Sequence, residues 1–307
     1  EKYVNALWNY EKGYLVDDRG GKMGDIILKL DIKPFDWITF TTNLKIDYNE
    51  RVSGKYRDSR TSYQNLGLNY ATMEKSSNFG YTWNGFFNVD KTFKEKHKIL
   101  ATAVVEAIQE KNEWVGASSQ DIPARYMDYH FLQTGIINRD LWSGYQKTSL
   151  LSYMMRAQYE YMGKYLFNAA FRSDGSSRLA KGNKWRTFPS FSMAWVITEE
   201  DFMKKQDLFS TLKLRMSYGE VGNQAISPYQ TLTTLSQGQY SWAGNGVYTW
   251  YPSGIANKKL GWEVSKTWNA GFDFNIRKNK LSGGVDLYYT TNEDLLLQRV
   301  LPSSTGF

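Results

Sequence analysis

Residues 265–289 alternate. Lys266, Trp268, Ala270, Phe272, Phe274 and Ile276 interleave with Ser265, Thr267, Asn269, Gly271, Asp273 and Asn275. Only Lys266, at one end, breaks the apolar set. After the polar turn Arg277-Lys278-Asn279-Lys280, Leu281, Gly283, Val285, Leu287 and Tyr289 alternate with Ser282, Gly284, Asp286, Tyr288 and Thr290. A period of two puts one set on each face of a strand. The short polar connection makes the pair an antiparallel hairpin. Each arm has about ten residues, the length a tilted strand needs to cross a bilayer. Its apolar face meets either a protein core or lipid.

The same pattern recurs along the chain. Ile26, Leu28, Leu30 and Ile32 precede the turn Lys33-Pro34-Phe35-Asp36, where the missing N–H of Pro34 costs little. Ile38, Phe40, Thr42, Leu44, Ile46 and Tyr48 form the cleanest face, opposite Thr39, Thr41, Asn43, Lys45, Asp47 and Asn49. Leu66, Leu68 and Tyr70 mark a further strand. It turns at Lys75-Ser76-Ser77-Asn78 into Tyr81, Trp83, Gly85, Phe87 and Val89. The turn Lys94-Glu95-Lys96-His97 feeds residues 99–109. There Ala101, Val104 and Ile108 also fit a helical spacing, but strand neighbours favour a strand. Residues 150–161, 165–171, 191–197 and 212–218 complete the series, giving roughly a dozen strands.

The connections alternate as well. Short turns are expected at 33–36, 94–97, 162–164 and 277–280. Long loops are expected at 50–60, 110–147, 173–187 and 222–261, and the chain before Gly24 reads as a loop. Glu199 to Ser210 reads as a charged, solvated connector. Short turns at one end and long loops at the other are the pattern of an outer-membrane barrel. A propeller would show a blade repeat, and none is present. The apolar sets carry no charge in mid-strand, whereas the opposite sets carry Lys45, Asp47, Lys213, Arg215, Asp273 and Asp286. A charge facing lipid at mid-bilayer costs about 2–4 kcal/mol, so these charges belong to the lumen side, solvated or cross-paired. The expected fold is all-β, an antiparallel transmembrane β-barrel.

Composition sharpens this picture. A mean hydropathy of -0.55 argues against helical spans but not against a barrel, whose strands wet one face. The 22 Tyr, 16 Phe and 11 Trp suit strands and the water–lipid boundary. With no cysteine, a disulfide scaffold, a thiolate metal site and a Cys nucleophile are excluded. The net charge of +7 is scattered among turns and strand ends rather than drawn into a stripe, which argues against nucleic acid. The start, Glu1-Lys2-Tyr3, shows neither a Met nor a signal-peptide pattern, so the chain is expected to be mature, trimmed or a fragment.

Several stretches carry a family resemblance. They are Arg172-Ser173-Asp174-Gly175-Ser176-Ser177-Arg178, Lys184-Trp185, Phe188-Pro189-Ser190, Ala194-Trp195 and Leu214 to Gly219. Gly222-Asn223-Gln224, Asn257, Leu260, Trp262-Glu263, Gly271, Asp273, Asp286, Asp294, Leu301-Pro302 and Thr305-Gly306-Phe307 follow in order. The set resembles the SusC/RagA family of TonB-dependent outer-membrane transporters of Bacteroidota, closely over about 150–307 and more loosely before. The resemblance implies a plugged barrel of about 22 strands. Residues 1–307 would then form a partial transmembrane barrel domain, without plug, TonB box or terminal strands. Open edges in lipid are costly, so the chain is expected to be a fragment or one part of a larger barrel.

Catalytic chemistry is not visible. His97 and His130 lack metal-ligand spacing and read as solvated. No Ser/His/Asp order, P-loop or HExxH motif occurs. Asp174 to Arg178 lacks the spacing of a calcium loop. No enzyme activity, metal or cofactor is expected. The candidate substrate-binding residues are Trp242, Asn245, Tyr248, Trp250 and Tyr251 in the Gly-rich loop, where aromatic faces beside an amide suit sugar rings or peptide side chains. Trp142 and Trp185 are weaker candidates. The resemblance implies TonB-dependent import of an oligosaccharide or peptide, with a SusD-like lipoprotein as partner. The alternatives are a non-transporting adhesin or structural barrel and a secreted carbohydrate-binding all-β protein.

Overall fold

The computed structural model describes residues 4–64, 67–123, 125–277, 280–297 and 302. The strands are β1 (Leu15–Phe35), β2 (Ile38–Arg57), β3 (Tyr70–Phe93), β4 (His97–Gln120), β5 (Ile137–Tyr161) and β6 (Tyr165–Ser176). They continue with β7 (Trp185–Val196), β8 (Phe209–Asn223), β9 (Thr234–Trp242), β10 (Asn245–Gly254), β11 (Glu263–Ile276) and β12 (Leu281–Glu293). Ten of them form one sheet, in the order β1 to β8, then β11 and β12, while β9 and β10 pair only with each other. Among the described residues no helix is long and apolar enough to cross a membrane.

Register follows the two-residue period. Across β11 and β12, Trp268 faces Tyr289, Ala270 faces Leu287 and Phe272 faces Val285. Across β11 and β8, Trp268 faces Tyr218, Phe272 faces Leu214, and Asp273 faces Lys213. A one-residue slip would move every apolar side chain to the polar face, which is why the register is unambiguous here. Two short turns use left-handed backbone. Lys94 and Glu95 have φ of 47° and 56°, and Met162 and Gly163 have φ of 53° and 70°. Turns with positive φ at both central residues match the right-handed twist of the flanking strands.

Contacts divide the chain into two compact units. One comprises residues 1–28, 44–82 and 109–147. Its core is Tyr56, Ala71 and Ile122, packed by Val16, Tyr129 and Leu132. The buried Asn69 amide substitutes for a strand partner, accepting from Ile122 N–H at 2.6 Å and donating to Ile122 C=O at 2.8 Å. The other unit comprises residues 29–43, 83–108 and 148–307. Its core is Leu179, Phe188, Trp262 and Val264, with Leu150 and Ile226 against it.

The strands run farther than the alternation indicates. The segment expected as a loop at 110–147 is largely β4 and β5, and only 121–136 connect them, with a 3-10 segment at Arg125–Thr134. Lys75 to Asn78 is no turn but lies inside β3. β1 starts at Leu15, inside the expected N-terminal loop, and β2 continues to Arg57. The connection expected at 173–187 shrinks to 177–184, and that at 222–261 contains the β9–β10 hairpin. At 20 to 25 residues, β1 to β5 exceed the nine to eleven or so that a tilted strand needs in a bilayer. Beyond lipid both faces of a strand meet water, so polar residues occupy both and the period-two signal fades. Glu1-Lys2-Tyr3, Leu66, Lys278-Asn279, Leu301 and Thr305-Gly306-Phe307 lie outside the described residues.

Candidate functional site

The polar face of β4 to β8, β11 and β12 is organised by two arginines. Arg172 on β6 donates to Asp174 at 2.8 and 2.9 Å, and its far nitrogen reaches Glu106 on β4 at 3.2 Å and Ser152 on β5 at 3.1 Å. Arg215 on β8 forks onto Asp273 at 2.9 and 3.0 Å and reaches Asp286 on β12 at 2.7 Å. A planar fork suits such bidentate pairing. Each arginine thereby ties three strands together. A cavity of about 330 Å³ opens beside Arg215, bordered also by Lys98, Gln158, Asn168, Lys213 and Asn269 among others. The expected inward charges at 213, 215, 273 and 286 share this face, with Arg215, Asp273 and Asp286 cross-paired.

The long-loop end of the same unit is latched by motif residues. Trp262 Nε1 donates to the Lys184 carbonyl at 2.9 Å, and its ring meets Phe188 edge-on at 5.5 Å. Arg178 donates to the Ile226 carbonyl at 3.1 Å, and Glu263 accepts the Leu296 N–H at 2.9 Å. Arg186 pairs with Asp294 at 3.4 Å. Most of these partners are backbone atoms, which explains why only the side-chain half of each latch is readable in the sequence.

The five candidate residues of the Gly-rich loop come together on one hairpin but not on one surface. The tight turn Ala243-Gly244, with φ of 51° and 81°, joins Trp242 to Asn245. Pairing of Trp242 with Asn245 and of Ser236 with Tyr251 puts Trp242, Asn245 and Tyr251 on one face. Tyr248 and Trp250 lie on the other, opposite Gln239 and Gln237. Trp242, Tyr248, Trp250 and Tyr251 are all exposed. Tyr240, which sequence reasoning passed over, stands 6.4 Å from Trp242 on its face. Alternation within residues 234–254 would have found it.

The weaker candidates pack against neighbouring strands. Trp185 stacks on Tyr153 at 5.8 Å, and Trp142 lies over the backbone of Gly116. His97 is not simply solvated, because its Nδ1 is 2.7 Å from the Tyr159 hydroxyl, while His130 stacks on Tyr129. Among the described residues no group of three His, Cys, Asp or Glu is placed to hold a metal ion. The acidic connector is also more than a solvated run. Glu200 accepts from Tyr165 Oη at 2.6 Å, Lys164 Nζ at 3.0 Å and Trp195 Nε1 at 3.1 Å. These donors, the Tyr165 hydroxyl foremost, hold its carboxyl at about 2, below the ordinary 4.5.

On the apolar face, aromatic pairs stand at two levels of β5. Tyr161 stacks with Tyr165 near the short turns, and Tyr153 with Trp185 toward the long loops. Eight residues separate Tyr153 from Tyr161, about 26 Å along a strand. Such paired rows flank the apolar band of outer-membrane barrels, which is about 25 Å tall.

The family described as TonB dependent receptor-like, beta-barrel matches residues 2–307. TonB-dependent receptor P39 of Formosa agariphila is 30% identical, covering 95% of this chain and 28% of that protein. TonB-dependent receptor SusC of Bacteroides thetaiotaomicron is 31% identical, covering 87% of this chain and 28% of that protein. These relatives are receptors rather than enzymes, and the chain spans little more than a quarter of their length. The solved structure of the RagAB peptide transporter has the same fold, with a TM-score of 0.86 at 22% identity over 97% of this chain and 33% of that one. With one apolar and one polar face on its sheet, the chain belongs to the TonB dependent receptor-like β-barrel family of the outer membrane.

Proposed function

We propose that this chain is part of the wall of a SusC-like importer, which takes an oligosaccharide or peptide across the outer membrane. The observation that carries the reading is a sheet apolar on one face and lined by fixed charges and amides on the other, in a chain 31% identical to SusC. No bond is made or broken in this reading. The wall supplies a shaped polar surface, the long connections supply recognition at the outer mouth, and TonB supplies energy through a plug inside the barrel. A SusD-like lipoprotein covers the mouth. The aromatics of the β9–β10 hairpin, Trp242, Tyr248, Trp250 and Tyr251 with Asn245, contact cargo or that partner.

The test uses the intact protein in its native membrane. Uptake of labelled oligosaccharides and peptides is measured before and after collapse of the energy that TonB transmits, and a tagged copy is purified in detergent. Energy-dependent uptake and a co-purifying lipoprotein are expected. Uptake indifferent to that energy would leave the adhesin or structural barrel as the better reading, and extraction without detergent would defeat both.

A further inference from the structure

We propose that the long-loop halves of β2 to β5 carry a binding patch for a neutral oligosaccharide, a choice of cargo class that rests on the import reading above. Asn49 on β2, Ser76 and Asn78 on β3, Asn112 and Trp114 on β4, and Gln146 on β5 border one open cleft of about 470 Å³. They share a face. Gly80 on β3 faces the Asp47 carboxylate of β2, and the cleft residues on those strands lie an even number of positions away.

The donor and acceptor inventory selects the ligand. Amides and hydroxyls both donate and accept, as do the vicinal hydroxyls of a sugar. The Asn78 Oδ1 is buried with no hydrogen-bond partner among the described residues. A buried acceptor without a donor is uncommon in native proteins and marks a place where an O–H group is wanted. Trp114 is the one apolar side chain bordering the cleft, and it is partly exposed. Its indole lies over the bare backbone of Gly144, where a Cβ would collide with the ring, so the platform is held in place. An indole face beside a row of amides suits the mixed C–H and O–H surface of a pyranose. A peptide, by contrast, seeks apolar pockets for its side chains, and this cleft has none besides the Trp114 ring. Arg51, Glu74 and Glu113 border the same cleft, one cation against two carboxylates, so it disfavours an anionic ligand.

The experiment compares the intact wild-type protein, purified from native membranes, with Asn112→Ala and Trp114→Ala variants. Two probes are used, a fluorescently labelled pool of neutral hexose oligomers and a labelled pool of random-sequence peptides. The wild type retains members of the glycan pool, and each variant binds them about tenfold more weakly. Asn112→Ala keeps the wild-type melting temperature, so its loss is not unfolding. Glycan retention unchanged in both variants, no glycan retained by the wild type, or peptides retained and lost on substitution would each overturn the proposal. Uptake by cells is read separately. If TonB-driven uptake fails while glycan retention stands, the import reading falls and the patch survives. If uptake stands while retention ignores both substitutions, only the patch falls.

Discussion

Arg215 crosses the bare backbone of Gly271 to reach Asp273 and Asp286. A Cβ on Gly271 would sit 2.6 Å from Arg215 Cζ and 2.6 Å from Asp286 Oδ1. The glycine is a passage that lets one guanidinium join β8, β11 and β12.

Gly271→Ala is therefore expected to displace the guanidinium. The collision itself is relieved cheaply, because the far end of an arginine is flexible. The cost lies in the two ion pairs lost, whose side chains are 33 to 44% exposed. Partly exposed pairs are screened and contribute little each, so a small but measurable loss is expected. Unfolding of the detergent-solubilised protein measures it. Gly246→Ala, where nothing lies within 4 Å of the added carbon, is the control and should not destabilise. Equal losses at both sites would remove the special role of Gly271.

Phe272 and Asn269 lie on opposite faces of β11. If the face of Phe272 meets lipid, Phe272→Arg costs about 2–4 kcal/mol near mid-bilayer, whereas Asn269→Arg on the wet face is tolerated. Urea unfolding of the protein in vesicles separates the two. Similar costs would show that the faces are misassigned.

That contrast also explains what the sequence reveals. On β8, β11 and β12 one face is apolar and the other polar along the strand, so each side chain states its own face. Trp268, Phe272, Asp273 and Asp286 could be placed from their spacing alone. In the long-loop halves of β2 to β5 polar residues occupy both faces. Glu110-Lys111-Asn112-Glu113 then looks like loop, although it lies inside β4. Turn chemistry misleads at Lys75-Ser76-Ser77-Asn78 in the same way, since the strand pairing of β3 overrides it. The hairpin site was legible as a cluster of residues but not as a surface. The pairing of Trp242 with Asn245 decides which aromatics share a face, and a one-residue change in that turn would reverse the answer.

Glu200 gives a pH-dependent signature. Its carboxyl sits at about 2 in the folded protein and near 4.5 when free of its partners. A depressed folded value means that the stabilisation is fully present above the unfolded value and is lost as pH falls through the folded one. The window is therefore about pH 4.5 down to 2. Glu200→Gln keeps the shape of the acceptor and removes the charge. The variant should melt below the wild type at neutral pH, and the gap should close across that window. A gap constant from neutral pH to pH 2.5 would mean that Lys164, Tyr165 and Trp195 do not read the charge.

The two faces of the β9–β10 hairpin give the last prediction. Trp242 and Tyr251 are on one face, and Tyr248 and Trp250 on the other. All four are exposed, so removing any one of them should change folding stability by no more than about 0.5 kcal/mol. A rigid ligand or partner engages one face of a two-stranded ribbon at a time. The double variant Trp242→Ala/Tyr251→Ala and the double variant Tyr248→Ala/Trp250→Ala should therefore differ, one impairing uptake or lipoprotein recovery and the other sparing both. Tyr240 gives the face of Trp242 and Tyr251 a third aromatic ring, against two on the other face, and makes it the one expected to be sensitive. Uptake and pull-down with the two doubles decide it. Normal behaviour of both would remove the hairpin from recognition, and equal loss in both would mean that the ribbon is enclosed on its two sides.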